Sequence, residues 1–249
     1  MLLGGEVRLD FLKKFIYHQN SSSEKLFLEW SEFLKENHFN FETLDRIDLT
    51  QESPMIFDLI GNKFSINFND NKLNYHKKKG TIKSELLSRA MGAGKAGLRV
   101  LDLSAGLAID AVFLSQLGYQ VTAIERNPLV YLALQSAWKK FHDPKGLKFV
   151  YASALDYLKS SVETFDVIYF DPMFPDKIKS ALPRQEMVLF RHLVGDDVDA
   201  DNVLQQALRF KDVQRIVVKR PIKAPVLGFK PHSQVEGKLV RFDLYGAKR

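Results

Sequence analysis

The chain has 249 residues, 45% hydrophobic and 27% charged, enough to bury a core without help from disulfides or metal. It has no cysteine, which excludes disulfides, thiolate nucleophiles and cysteine-ligated zinc or iron–sulfur sites, and which fits a reducing compartment. Lysine and arginine outnumber aspartate and glutamate 36 to 30, a balance that favours a polyanionic partner gripped through phosphates.

Met1–Asp10 lacks the basic flank and apolar run of a signal peptide. Val100–Leu103 and Val167–Phe170 are too short to cross a bilayer. The expected location is therefore the cytoplasm, with no membrane partner. From residue 1 to about 40, Phe11, Phe15, Leu26, Phe27, Trp30, Phe33 and Leu34 recur at helical steps. Ser21–Ser23 followed by Glu24 reads as a break and an N-cap. Alternating Phe57, Leu59, Phe64, Ile66 and Phe68 around Gly61-Asn62 predict a β-hairpin. Residues 1–80 are thus expected to form a small α+β subdomain.

Residues 81–249 follow a different plan. A helix over Lys83–Met91 precedes a strand at Arg99–Leu103, a helix at Asp110–Leu117 and a strand at Gln120–Glu125. A helix over Leu129–Phe141, a strand at Lys148–Tyr151, a short helix at Ala154–Leu158 and a strand at Asp166–Phe170 come next. Asp199–Phe210 is predicted helical, Arg215–Val218 a strand, and Arg241–Tyr245 a final strand, antiparallel at an edge. Such alternation specifies an α/β fold of Rossmann-like type, with a doubly wound, mostly parallel sheet.

Ligands in such sheets bind beyond the carboxyl ends of the strands. The first strand runs through Asp102 into Ser104-Ala105-Gly106-Leu107-Ala108, where Gly106 permits a tight turn against a ligand. The second ends at Glu125, about 20 residues on, where a carboxylate suits the two hydroxyls of a ribose. This loop lacks the full G-x-G-x-x-G, and these residues alone leave NAD and S-adenosylmethionine both open.

The fourth strand decides between them. It ends in Asp171-Pro172-Met173-Phe174, an acid, a proline, any residue and an aromatic: the pattern of amino-group methyltransferases. An exocyclic amine is a weak nucleophile because its lone pair is delocalised into the ring. Asp171 and the Pro172 carbonyl can each accept an N–H, favouring a pyramidal nitrogen, while Phe174 offers a stacking face for the base. Positioning then carries the catalysis, with neither a metal nor a covalent nucleophile.

The run continues through Lys177, Lys179-Ser180-Ala181-Leu182, Leu193-Val194-Gly195, Val217-Val218-Lys219-Arg220-Pro221 and Arg241-Phe242-Asp243-Leu244-Tyr245. Over about Val100 to Tyr245 this resembles the bacterial 16S rRNA guanine-N2-methyltransferases of the RsmJ type. The resemblance implies a class I methyltransferase that uses S-adenosylmethionine on the 2-amino group of a guanosine in 16S rRNA of the small ribosomal subunit. It also implies cofactor contacts at Ile109, Asp110, Glu125, Arg126, Ser153, Ala154 and Asp171. The family usually reads Thr-Ala-Gly-Leu-Gly-Arg-Asp in the first loop, where this chain has Ser104, Ala108 and Ile109. Lys177, Lys179, Arg184, Lys219 and Arg220, with Lys223, are expected to clamp phosphates around the target, with His76–Lys79 a further basic run. The rival readings are an amino-group methyltransferase acting on DNA adenine, tRNA or protein glutamine, an NAD-dependent oxidoreductase, and a catalytically silent RNA-binding protein.

Overall fold

In the computed structural model, which describes residues 11–69, 86–92, 97–141, 146–173 and 185–246, the packed chain divides into two units. Among the described residues the α-helices are α1 (Ser21–Glu36), α2 (Leu86–Ala90), α3 (Ile109–Gln116), α4 (Pro128–Lys139), α5 (Ala154–Ser160), α6 (Gln185–Val194) and α7 (Ala200–Ala207). No helix among them is long and apolar enough to cross a membrane.

The first unit comprises Met1–Asn67, Asn127–Lys140 and Pro175–Gly195. The sequence puts a boundary near residue 80, whereas the contacts also draw α4 and α6 into this unit, a return of the chain that local periodicity cannot signal. Four short strands, β1 (Phe15–Ile16), β2 (Leu44–Asp48), β3 (Met55–Asp58) and β4 (Lys63–Phe64), lie in that order, with β1 parallel to β2 and the rest antiparallel. The first helix begins at Ser21, one residue after its cap: the Asn20 side chain accepts the Ser23 N–H at 2.9 Å. The expected hairpin forms because the Asp58 carboxylate accepts the N–H groups of Ile60 and Asn62, while Gly61 takes a φ of 87° that L-residues avoid. Leu34, Ile47 and Ile56 are fully buried, each contributing roughly 1.5–3 kcal/mol.

The second unit comprises Phe68–Arg126, Phe141–Phe174 and Asp196–Arg249. Its sheet contains β5 (Arg99–Asp102), β6 (Gln120–Glu125), β7 (Leu147–Tyr151), β8 (Val167–Phe170), β9 (Arg215–Pro221), β10 (Ser233–Glu236) and β11 (Val240–Tyr245). The order is β10-β11-β9-β8-β5-β6-β7, parallel from β7 to β9. The final strand is antiparallel, as expected, but it is not at the edge: β10 pairs outside it. Three of the four β10 residues are exposed, so no apolar alternation announced it. Leu101, Ile168, Leu204, Ile216 and Val218 are fully buried in one core cluster, which explains the unbroken apolar runs of the central strands. The chain passes from β5 to β6 and β7 on one side and then crosses to β8 on the other. That reversal between β5 and β8 opens the crevice where such sheets bind ligands.

Candidate active site

The polar cluster at the carboxyl end of the sheet belongs to the second unit. β5 delivers Asp102, 1% exposed, to the carboxyl end of the sheet, where its carboxylate accepts the Ser104 N–H at 3.0 Å. The following turn takes left-handed backbone at Gly106 (φ 53°) and Ala108 (φ 55°) before α3 begins. The Ala105 N–H bonds to the Ile124 carbonyl, and the Gly106 N–H donates to Glu125 Oε2 at 3.0 Å. Glu125, buried at the end of β6, is thereby fixed against the turn. A carboxylate offers about four acceptor sites, so this bond is compatible with hydrogen bonds from ribose hydroxyls.

Four polar side chains converge at the switch point. Tyr169 Oη donates to Asp110 Oδ2 at 2.5 Å, and Lys219 Nζ sits 2.8 Å from that same oxygen. Lys219 Nζ is also 2.9 Å from Asp171 Oδ2. The Asp171 N–H donates to Ser104 Oγ at 2.8 Å, which ties the end of β8 to the turn after β5. Beyond the buried Pro172, the Met173 N–H donates to Asp197 Oδ2 at 2.6 Å and the Met173 carbonyl accepts the Asp197 N–H. Ser104, Tyr169 and Asp197 are site residues that the sequence reading did not identify. Their partners lie 67, 59 and 24 positions away, beyond any local pattern.

The electrostatics follow from this crowding. Burial pushes the Asp102 carboxyl up to about 8, opposed by the Ser104 N–H and reinforced by Asp110 and Asp171. Burial likewise pushes Asp171 up to about 6; Lys219 opposes the rise, and Asp110 and Asp197 add to it. The Asp171 side chain keeps 38% of its exposure, so water tempers the effect of burial. Burial alone would lower Lys219, but Asp171 and Asp110 outweigh it and hold the ammonium above its usual range. Burial and the neighbouring Asp110 raise the Tyr169 phenol as well, keeping it a donor.

The structure thus brings together Asp102, Gly106, Asp110, Glu125 and Asp171. Ile109 begins α3 with its side chain 44% exposed. Arg126 is paired with Asp197 at 2.8 Å and lies 3.7 Å from Asp199, so its guanidinium reaches the segment that also accepts the Met173 N–H. Ser153 caps α5, its hydroxyl accepting the Asp156 N–H, and Ala154 is the first residue of that helix. Phe174, Lys177, Lys179, Arg184 and the His76–Lys79 run lie outside the described residues.

One of the expected phosphate contacts, Arg220, is placed by the structure in the interior. Arg220 is 3% exposed and donates through Nε and Nη2 to the Pro225 carbonyl, so it faces the interior and not a substrate. Lys219 is on the site side, with its ammonium 2.8 Å from Asp110 and 2.9 Å from Asp171 and its side chain 26% exposed. A groove lined by Arg99, Gln120, Lys148 and Glu163 opens at the amino ends of β5–β7, away from this cluster.

The residues fit S-adenosylmethionine: a backbone turn that can approach a ligand closely, a buried acceptor for its ribose at Glu125, and a carboxylate at the end of β8 facing the crevice. A family model for S-adenosylmethionine-dependent methyltransferases matches residues 43–247. The ribosomal RNA small subunit methyltransferase J of Bdellovibrio bacteriovorus is 47% identical over 184 residues, covering 72% of this chain and 73% of that protein. The methyltransferase J of Marinobacter nauticus is 40% identical, covering 72% of this chain and 68% of its own length. The crystal structure of a SAM-dependent methyltransferase from Neisseria gonorrhoeae superposes with a TM-score of 0.63 at 26% identity, covering 81% of this chain and 82% of that one.

Proposed function

The chain belongs to the S-adenosylmethionine-dependent methyltransferase family that includes ribosomal RNA small subunit methyltransferase J, and on that premise we propose that it methylates the exocyclic 2-amino group of a guanosine in 16S ribosomal RNA. The observation that carries this reading is Asp171, anchored through its N–H to Ser104 and through Oδ2 to Lys219 at the switch point of the sheet.

The bound cofactor would supply an electrophilic methyl group on a sulfonium. Asp102 shapes the turn, and Glu125 holds the ribose. Asp171 Oδ1 accepts one N–H of the guanine amine while the Pro172 carbonyl accepts the other, turning the nitrogen lone pair out of conjugation with the ring. Asp171, poised near 6, also accepts the proton that the amine sheds. Phe174 is assigned to stacking the base, and Lys177, Lys179 and Arg184 to phosphates of a splayed-out nucleotide. The cytoplasm, where ribosomal subunits are assembled, is the proposed place of work.

Labelled S-adenosylmethionine offered with naked rRNA, isolated small subunits, tRNA and DNA tests this directly. The expected outcome is label in N2-methylguanosine from the small-subunit substrates alone. Label in N6-methyladenine, or in tRNA alone, overturns the assignment.

A further inference from the structure

We propose that Lys219 is a positioning residue for methyl transfer: clamped between Asp110 and Asp171, its ammonium fixes Asp171 Oδ2 and so aims Oδ1 at the substrate amine. The proposal rests on the reading of Asp171 as the acceptor of that amine.

Lys219 lies in β9, the parallel neighbour of β8, so its side chain arrives beside the residue that follows β8. Its Nζ makes two contacts of bonding length, 2.8 Å to Asp110 and 2.9 Å to Asp171. The Lys219 and Asp110 side chains are each 26% exposed and that of Asp171 is 38% exposed, so both pairs are partly shielded from water. Asp110 cannot swing away easily, since Tyr169 Oη holds the same oxygen. Asp171 is pinned at its other end by Ser104 Oγ. The carboxylate is therefore constrained through its backbone and through one oxygen, which leaves the second oxygen as a directed acceptor.

Charge makes the same demand. Among the described residues, the titratable groups that bear on Asp171 are Asp110 from α3, Tyr169 from β8, the buried Asp102 from β5, Asp197 from the segment before α7, and Lys219 from β9, and of these Lys219 is the cation. Without it, two adjacent carboxylates beside a third buried carboxyl would repel, and one would take up a proton. A protonated Asp171 accepts poorly from an amine and cannot receive its proton.

Lys219→Met and Lys219→Arg, with Asp171→Asn as reference, test this in single-turnover methylation of small subunits between pH 5 and 9, alongside RNA affinity across a salt series. With Met, the acid limb of the rate profile should rise by about one to three pH units, and the plateau should fall. The salt slope of RNA binding should not change. Arg should restore the acid limb, whereas a residue needed only for packing would not be rescued in this way. An unmoved acid limb in the Met variant overturns the proposal. So does a salt slope flattened by roughly 0.7–0.9, which would make Lys219 a phosphate contact. If the acid limb persists unchanged in Asp171→Asn, the reading of Asp171 itself fails; if it disappears there but stays put in Lys219→Met, the positioning role alone fails.

Discussion

Lys219 and Arg220 are neighbours in the chain, yet they serve opposite faces of β9. Lys219 turns to the crevice and meets Asp110 and Asp171, with a quarter of its side chain in contact with water. Arg220 turns inward and, with Arg241 and Tyr245, pins the segment after the strand. Arg220 bonds the Pro225 carbonyl, Arg241 those of Pro221 and Ile222, and Tyr245 those of Leu227 and Phe229. Arg241 is paired with Asp243 at 2.8 Å, their side chains 6% and 0% exposed. A buried ion pair has to be satisfied at nearly every atom to repay its desolvation, and this one is. The half-hydrated cluster at the crevice leaves room for a substrate. One strand therefore carries buried architecture on one face and, on the other, the face toward the crevice, the proposed chemistry; a basic run counted along the sequence merges the two.

The sharpest way to break this contrast is Arg241→Met. It strands the fully buried Asp243 carboxylate, so denaturant titration should show a loss of about 3–5 kcal/mol, while the methylation rate per folded molecule stays near normal. Asp171→Ala should do the reverse: turnover falls by about 100-fold or more because the amine is no longer oriented, and stability barely changes. Should both variants lose activity and stability in parallel, the division between the two faces is wrong.

Two smaller effects refine the site itself. Glu125→Ala should weaken S-adenosylmethionine binding by about 1–3 kcal/mol in calorimetry, through lost charge-assisted hydrogen bonds. Asp102→Asn should reveal the strain of a buried carboxyl. Because folding raises this group from 3.8 to about 8, its protonated form is favoured in the native state. The stability it contributes is complete below about pH 4 and is lost as pH climbs toward 8. The Asn variant should therefore gain on the parent as pH rises across that window, by more than about 1.4 kcal/mol, the worth of one pH unit. A constant difference between pH 4 and 8 would show that Asp102 is not held protonated.

The residues that announced themselves in the sequence were those whose neighbours in the chain share their task. β6 was read at Gln120–Glu125 because its apolar run ends in an acid, and that acid lies where a ribose-binding carboxylate is expected. Asp171 was legible from its place after β8. The direction of Lys219 was not, because β9 is buried on both faces at Ile216–Val218 and alternation gives no sign of which side is the crevice. The roles of Ser104, Tyr169 and Asp197 depend on strands that meet only after folding, and no local spacing encodes those meetings.

The turn between β5 and α3 has a consequence for how this chain can vary. Ala108 stands where the resembling family usually has glycine, and its backbone remains left-handed, at φ 55° and ψ 22°, with 1% of its surface exposed. A methyl group in that conformation costs of order 1–2 kcal/mol. Ala108→Gly should return about 1 kcal/mol or less of this as a small rise in melting temperature, since the freer unfolded chain takes part of the gain back. Larger residues meet both the backbone penalty and a sealed wall. A library randomised at this codon and sorted for folded protein should therefore converge on two letters, glycine and alanine. On this argument the choice at this position lies between a supple turn and a stiffer, strained one.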